Sequence, residues 1–197
     1  SVHAIGQTDA FYFIQFTDPQ FGMIEENKGF AEETKLMEKA VGAINRLNPK
    51  FVVITGDLVH DGKDRKQIEE FKRIRGLINK QTPVYVLPGN HDVGQEATDD
   101  AISNYIDDYG YDCFSFQMND CCFIGINTQI IWANRTEKEN SQLIWMEKVL
   151  ENSQKCNHRI VFGHHPFFVS SPDEPDKYQN IPLVRRKVYL DLFQKYN

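Results

Sequence analysis

The sequence predicts an α/β fold in which sheet and helices form layers. Three observations carry that expectation. Apolar runs rich in β-branched and aromatic residues alternate with stretches of helical periodicity. Almost every such run stops at a short cluster of carboxylate, amide or imidazole side chains. No run of 18 or more apolar residues interrupts the alternation.

In chain order, strands are expected at residues 11–17, 51–55, 84–87, 113–118, 121–127 and 159–163. Between the first two, Met37, Ala40, Val41, Ile44 and Leu47 recur at helical spacing and Asn48-Pro49 ends the helix, giving one βαβ unit. Ile68, Phe71, Ile74, Leu77 and Ile78 mark a second amphipathic helix. Leu143, Met146, Val149 and Leu150 mark another, ahead of which Thr136 and Glu139 have the spacing of a capping box. Met118-Asn119-Asp120-Cys121 reads as a hairpin turn. The stretch 170–182, rich in Pro, Asp and Ser, is a loop that is either solvated or a lid contacting substrate, and a last helix follows from about Leu183.

With 41% hydrophobic and 25% charged side chains, 197 residues suffice for one sizeable core, so residues 1–197 are expected to form a single domain. A formal charge of −6 argues against a surface built to neutralise a nucleic-acid backbone, so no nucleic-acid partner is expected. Ser1 to Asp9 lack the basic start and apolar centre of a secretory signal. The expectation is therefore a soluble cytoplasmic protein without membrane contact, the alternative being an exported one whose signal has been removed. Cys113, Cys121, Cys122 and Cys156 show no C-x-x-C spacing and are expected to be reduced, one disulfide being the exported alternative.

The polar clusters carry the chemistry. Asp18-Pro19-Gln20 follows the first strand, Gly56-Asp57-Leu58-Val59-His60 the second, Gly89-Asn90-His91-Asp92 the third, and Gly163-His164-His165-Pro166 the last. Ligands of open α/β sheets bind at the carboxyl ends of strands. Taken singly, Asp18 reads as a turn residue, Asp57 as a helix cap and His60 as a loop histidine; four strands ending this way do not read as punctuation. Carboxylate, amide oxygen and imidazole without thiolate suit a divalent ion such as Mn, Fe or Zn. Carboxylates packed together also need cations to remain ionised.

Gly-Asp-Leu-Val-His at 56–60, Gly-Asn-His-Asp at 89–92 and Gly-His-His-Pro at 163–166 resemble the second, third and fourth motifs of the calcineurin-like metallophosphoesterases. The resemblance runs from Phe11 to at least Phe168 and implies an αββα sandwich of the metallo-dependent phosphatase type. The first motif departs from the usual Asp-x-His, with Gln20 where imidazole is customary. In that, and in Asn45 to Lys50 and Asp112 to Phe116, the chain is similar to the calcineurin-like phosphoesterase domain subgroup known as complete-S-transactivated protein, regarded as cytosolic Ser/Thr protein phosphatases.

The resemblance implies a dinuclear metal site. Asp18, Gln20 and Asp57 would hold one ion and Asp57, Asn90 and His164 the other, with Asp57 bridging. His91 would stabilise the phosphoryl group or protonate the leaving oxygen, Asp92 would orient His91, and His60 and His165 would support the ligands. The implied activity is hydrolysis of phosphate monoesters, with phosphoserine or phosphothreonine in proteins as the substrate class. A phosphodiesterase acting on nucleotide or lipid-linked substrates and a non-catalytic scaffold stay open as alternatives. The fifth motif, Gly-His-x-His, occurs nowhere. The expectation is thus a domain truncated before that motif, lacking its C-terminal strands and short of imidazole ligands.

Overall fold

The computed structural model describes residues 10–196. The reading of Ser1 to Asp9 lies outside the described residues. The elements run β1 (Ile14–Phe16), α1 (Ala31–Leu47), β2 (Val52–Thr55), α2 (Arg65–Arg75), β3 (Val84–Leu87), α3 (Asn90–Val93), α4 (Asp99–Tyr109), β4 (Phe114–Met118), β5 (Cys121–Gly125), α5 (Thr128–Trp132), α6 (Thr136–Asn152), β6 (His158–Phe162) and α7 (Leu183–Lys195).

Two three-stranded sheets result. In the first, β1, β2 and β3 lie side by side and parallel, as βαβ connections require. In the second, β5 pairs antiparallel with β4 through the Asn119-Asp120 turn and parallel with β6. Asn119 takes the left-handed conformation that a two-residue hairpin loop demands, with φ 53°. Among the described residues, β6 pairs on one side only.

Strand alternation explains the layering. Phe51, Val53 and Leu87 of the first sheet meet Phe114, Phe123 and Phe162 of the second in one cluster. Phe51 and Phe123 touch edge-to-face with ring centroids 4.8 Å apart, and Phe13 stacks on Phe51 at the same distance. The residues between them in sequence point the other way. Val52, Ile54 and Val86, with Cys122 and Ile124, join the apolar faces of the helices: Met37, Val41 and Ile44 of α1, Ile68, Phe71 and Ile74 of α2, Met146 and Leu150 of α6. This is the mixed, helix-covered two-sheet arrangement expected.

Several local expectations are corrected. The fifth strand stops at Gly125 because Asn127 caps α5, its side-chain oxygen accepting from the backbone N–H of Gln129 and Ile130. Thr136 is the first residue of α6 and caps nothing. Glu139 turns its buried carboxylate to the guanidinium of Arg185, 2.7 Å away, instead of closing a capping box. Helices α3, α4 and α5 were not anticipated. In α4 the Thr98 hydroxyl accepts from Ala101 N–H, and Gly110, at φ 92°, closes the helix through its N–H to Ile106. The four cysteines are all free thiols. No helix among the described residues is long and apolar enough to cross a membrane.

Candidate metal centre

The parallel order of β1, β2 and β3 brings the residues that follow them to one edge, and the end of β6 meets that edge from the second sheet. The His164 Nδ1 lies 2.9 Å from the carbonyl oxygen of Thr55, the last residue of β2. That carbonyl can only accept, so Nδ1 donates and Nε2 is left facing inward. Nε2 is 3.2 Å from Asn90 Oδ1 and 3.5 Å from Asp57 Oδ2. Asp18, Asp57 and His164 offer ligand atoms within 4.8 Å of one another. Imidazole lone pair, amide oxygen and two carboxylates thus converge, an arrangement that a cation relieves.

The backbone is bent to achieve this. Asp18, Gln20 and Asp57 all have left-handed conformations, with φ of 54°, 39° and 49°. Such values are uncommon outside glycine and cluster at sites where surrounding structure enforces them. Gly56 turns at φ 94°, and a Cβ there would sit 2.7 Å from His164 Nδ1 and 2.8 Å from the Gly89 nitrogen. Backbone bonds from Asp18 N–H to Gly56 and from Gln20 N–H to Asp57 stitch the first two clusters together.

Asp57 is buried, and its Oδ1 accepts from the backbone N–H of His91 at 2.9 Å. Burial raises its carboxyl above the usual range, while His164 and the His91 N–H pull the other way. Gln20 is buried beside it, and its amide Nε2 is 3.4 Å from His60 Nδ1.

His91 and Asp92 do not pair as expected. His91 Nδ1 is 2.9 Å from the carbonyl oxygen of His60, and the two rings stack 4.6 Å apart. Asp92 instead accepts from the backbone N–H groups of Gly89, Leu58 and Val59 at 2.8 to 3.2 Å. It staples the third cluster to the second. Full burial pushes its carboxyl up to about 8 against the pull of the Gly89 N–H. His91 Nδ1 is thus held by the His60 carbonyl, and the Asp92 carboxyl by backbone donors.

His165 packs beneath Trp132 and donates from Nε2 to Gln129 Oε1 at 2.6 Å, and burial lowers its pKa to about 4. Thr128 Oγ1 accepts from the N–H groups of both His164 and His165, fixing the turn after β6. The loop 170–182 reaches the rim through Tyr178, whose hydroxyl accepts from Asn90 Nδ2 at 3.3 Å and from Gln95 Nε2 at 3.0 Å. A cavity of about 540 Å³ opens beside His91, bordered by Lys63, Gln95, Glu96 and Asn104. Thr128, Gln129 and Tyr178 carry no motif that marks them in the sequence.

Comparison with known proteins identifies relatives of the chain. The profile of a family described as calcineurin-like phosphoesterase matches residues 11–196. The Serine/threonine-protein phosphatase CPPED1 of Homo sapiens is 36% identical over 93% of this chain and 65% of its own length. The Rattus norvegicus protein of the same name is 33% identical over 95% and 66%. The chain spans about two thirds of the length of these relatives. A probable glycerophosphodiester phosphodiesterase GpdQ of Arcobacter nitrofigilis is 27% identical over 82% of the chain. Among solved structures, a dimetal phosphatase from Danio rerio superposes with a TM-score of 0.63 at 15% identity, covering 94% of this chain and 77% of that one. A purple acid phosphatase from Lupinus luteus gives 0.67 at 19%, covering 97% and 37%.

Proposed function

The chain belongs to the calcineurin-like phosphoesterase family, and from that premise we propose that it carries the metal-binding part of an enzyme hydrolysing phosphate monoesters, with phosphoserine or phosphothreonine in proteins as the substrate class. The observation that carries this reading is the convergence of Asp18, Asp57, His164 Nε2 and Asn90 Oδ1, ligand atoms turned toward one point. Two divalent ions fit that donor set. Gln20 with Asp18 and Asp57 would hold one, Asn90 and His164 with Asp57 the other. Oxygen and imidazole donors without thiolate favour Mn, Fe or Zn. When bound, such ions polarise phosphoryl oxygens and acidify water.

The chain's own residues supply the rest. Asp57 would be shared by both ions, and its Oδ1 accepts from the His91 N–H, which restrains rotation of the carboxylate. His91, fixed at Nδ1 by the His60 carbonyl, keeps Nε2 for the proton that the departing alcohol takes up. The cavity beside His91 is where the alcohol portion of the ester would lie. Asp92 holds the Gly89 loop in place through its backbone bonds. A domain that also contained a Gly-His-x-His pair would complete the imidazole set, since that pair does not occur in this sequence. A second reading, hydrolysis of phosphodiesters, is favoured by the likeness to the Arcobacter protein named as a glycerophosphodiester phosphodiesterase.

The test is Asp57→Asn, assayed for metal content and for turnover of p-nitrophenyl phosphate and its bis-ester with added Mn. The substitution removes the charge shared by both ions and should abolish metal occupancy and turnover together. Undiminished turnover with the fold intact would refute the reading. Preference for the bis-ester in the parent protein would select the diester alternative.

A further inference from the structure

The structure assigns Tyr178 as the residue that fixes which end of the Asn90 amide faces the metal centre, an inference that rests on the reading of that centre proposed above. A side-chain amide ligates a cation only through its oxygen; turned over, it presents an NH₂ group that repels one. Asn90 is buried, with Oδ1 3.2 Å from His164 Nε2 on one side and Nδ2 3.3 Å from the Tyr178 hydroxyl on the other. A phenol hydroxyl can donate or accept, and this one accepts from both Asn90 Nδ2 and Gln95 Nε2, so its own proton is directed away from the Asn90 amide. The amide therefore has an acceptor outside the centre to hold its nitrogen, which leaves the oxygen pointing inward.

Tyr178 is about half exposed, yet its position is set from behind. Trp132 Nε1 donates to the Tyr178 carbonyl oxygen at 3.0 Å, and the two rings meet edge-on at 6.0 Å. The loop that carries it is wound around Glu174, which accepts from Val169 N–H, Ser170 N–H and the Asn180 amide. The fully buried Arg186 guanidinium donates to the carbonyls of Pro172, Glu174 and Ile181. Tyr178 is thus a positioning residue acting through Asn90.

Calorimetric titration with Mn(II) of four proteins tests this: the parent, Tyr178→Phe, Asn90→Asp and the double variant. Tyr178→Phe should weaken Mn binding about tenfold, the scale of losing a group that orients a metal ligand. Its metal-free melting temperature should stay within about 2 °C of the parent, since an exposed hydroxyl contributes little to folding. Aspartate offers an oxygen at either end, so in the Asn90→Asp background removal of the hydroxyl should cost less than about twofold. Equal losses in both backgrounds, or an unchanged affinity for Tyr178→Phe alone, would overturn the inference and leave the centre standing. A parent protein that binds no Mn would overturn both.

Discussion

Gly89 packs so closely against Asp57 that a Cβ on the glycine would fall within the van der Waals shell of the Asp57 carboxylate oxygen and backbone nitrogen. Its φ of −107° is open to any residue, so the requirement is for space and not for an unusual backbone. Gly89→Ala should push the Asp57 carboxylate out of the cluster, destabilising the fold by about 1–3 kcal/mol and weakening metal binding. Gly42 is the control, because it lies inside α1 and a Cβ there would meet only Arg46 Nη1 at 3.6 Å. Gly42→Ala should stabilise by roughly 0.5–1 kcal/mol. Urea unfolding of both variants, with Mn titration, measures the contrast; a Gly89→Ala protein as stable as its parent would contradict the packing.

His91 binds no partner of the cluster through its ring: Nδ1 is taken by the His60 carbonyl and the ring lies on that of His60. His91→Ala should therefore leave metal content unchanged while lowering kcat by roughly 10²–10⁴-fold, the range for a lost general acid. Metal analysis beside steady-state kinetics separates the two effects. Loss of metal in that variant would make His91 a ligand and remove it from the proton-transfer role.

Much of this was legible in the sequence because it depended on patterns that repeat along the chain. Val52 to Thr55 and Val84 to Leu87 are short apolar runs that can only be strands between long helices, and their polar successors had to share an edge once the strands were parallel. The His164 cluster was legible for the same reason. Helix α4 was hidden because four of its eleven residues are aspartates and only Ile102 and Tyr105 are buried, so its apolar stripe is too thin for periodicity to register. The fate of Asp92 was hidden by a different cause. The family resemblance suggested His91 as its partner, whereas three backbone donors from two loops reach it. Tyr178 lies 88 residues from the amide it holds, and no spacing rule encodes such a contact.

Glu174 sits at the centre of the loop that carries Tyr178, and hydrogen bonds from Val169 N–H, the Asn180 amide and Ser170 N–H hold its carboxyl down at about 2. A depressed folded-state pKa stabilises the native state at every pH above the unfolded value near 4.5, and that contribution is lost as pH falls through about 2. Glu174→Gln cannot titrate. The melting temperature of the parent should therefore exceed that of the variant by a constant margin above about pH 5, and the margin should shrink between roughly pH 4.5 and 2. Melting curves across pH 2 to 7 for both proteins check it, and a margin that does not change with pH would remove Glu174 as an ionised anchor.

The last prediction concerns the seam between the sheets. Phe123 has no exposed surface and touches Phe13, Phe51 and Phe116 with ring centroids 4.8 to 5.6 Å apart, so it spans the gap that the two sheets share. Truncation leaves a cavity that neither sheet can close, because each is held from behind by its own helices. Phe123→Ala should destabilise by about 3–5 kcal/mol, and Phe123→Leu, which keeps most of the volume, by less. Phe51 faces it edge-on from the residue before β2, and part of each ring's contribution is their mutual contact. Phe51→Ala and Phe123→Ala combined should accordingly cost less than the sum of the two, by about 0.5–1.5 kcal/mol. Chemical denaturation of the single and double variants measures the coupling. Strict additivity would mean that the two sheets are held by burial alone and that the ring pair contributes nothing of its own.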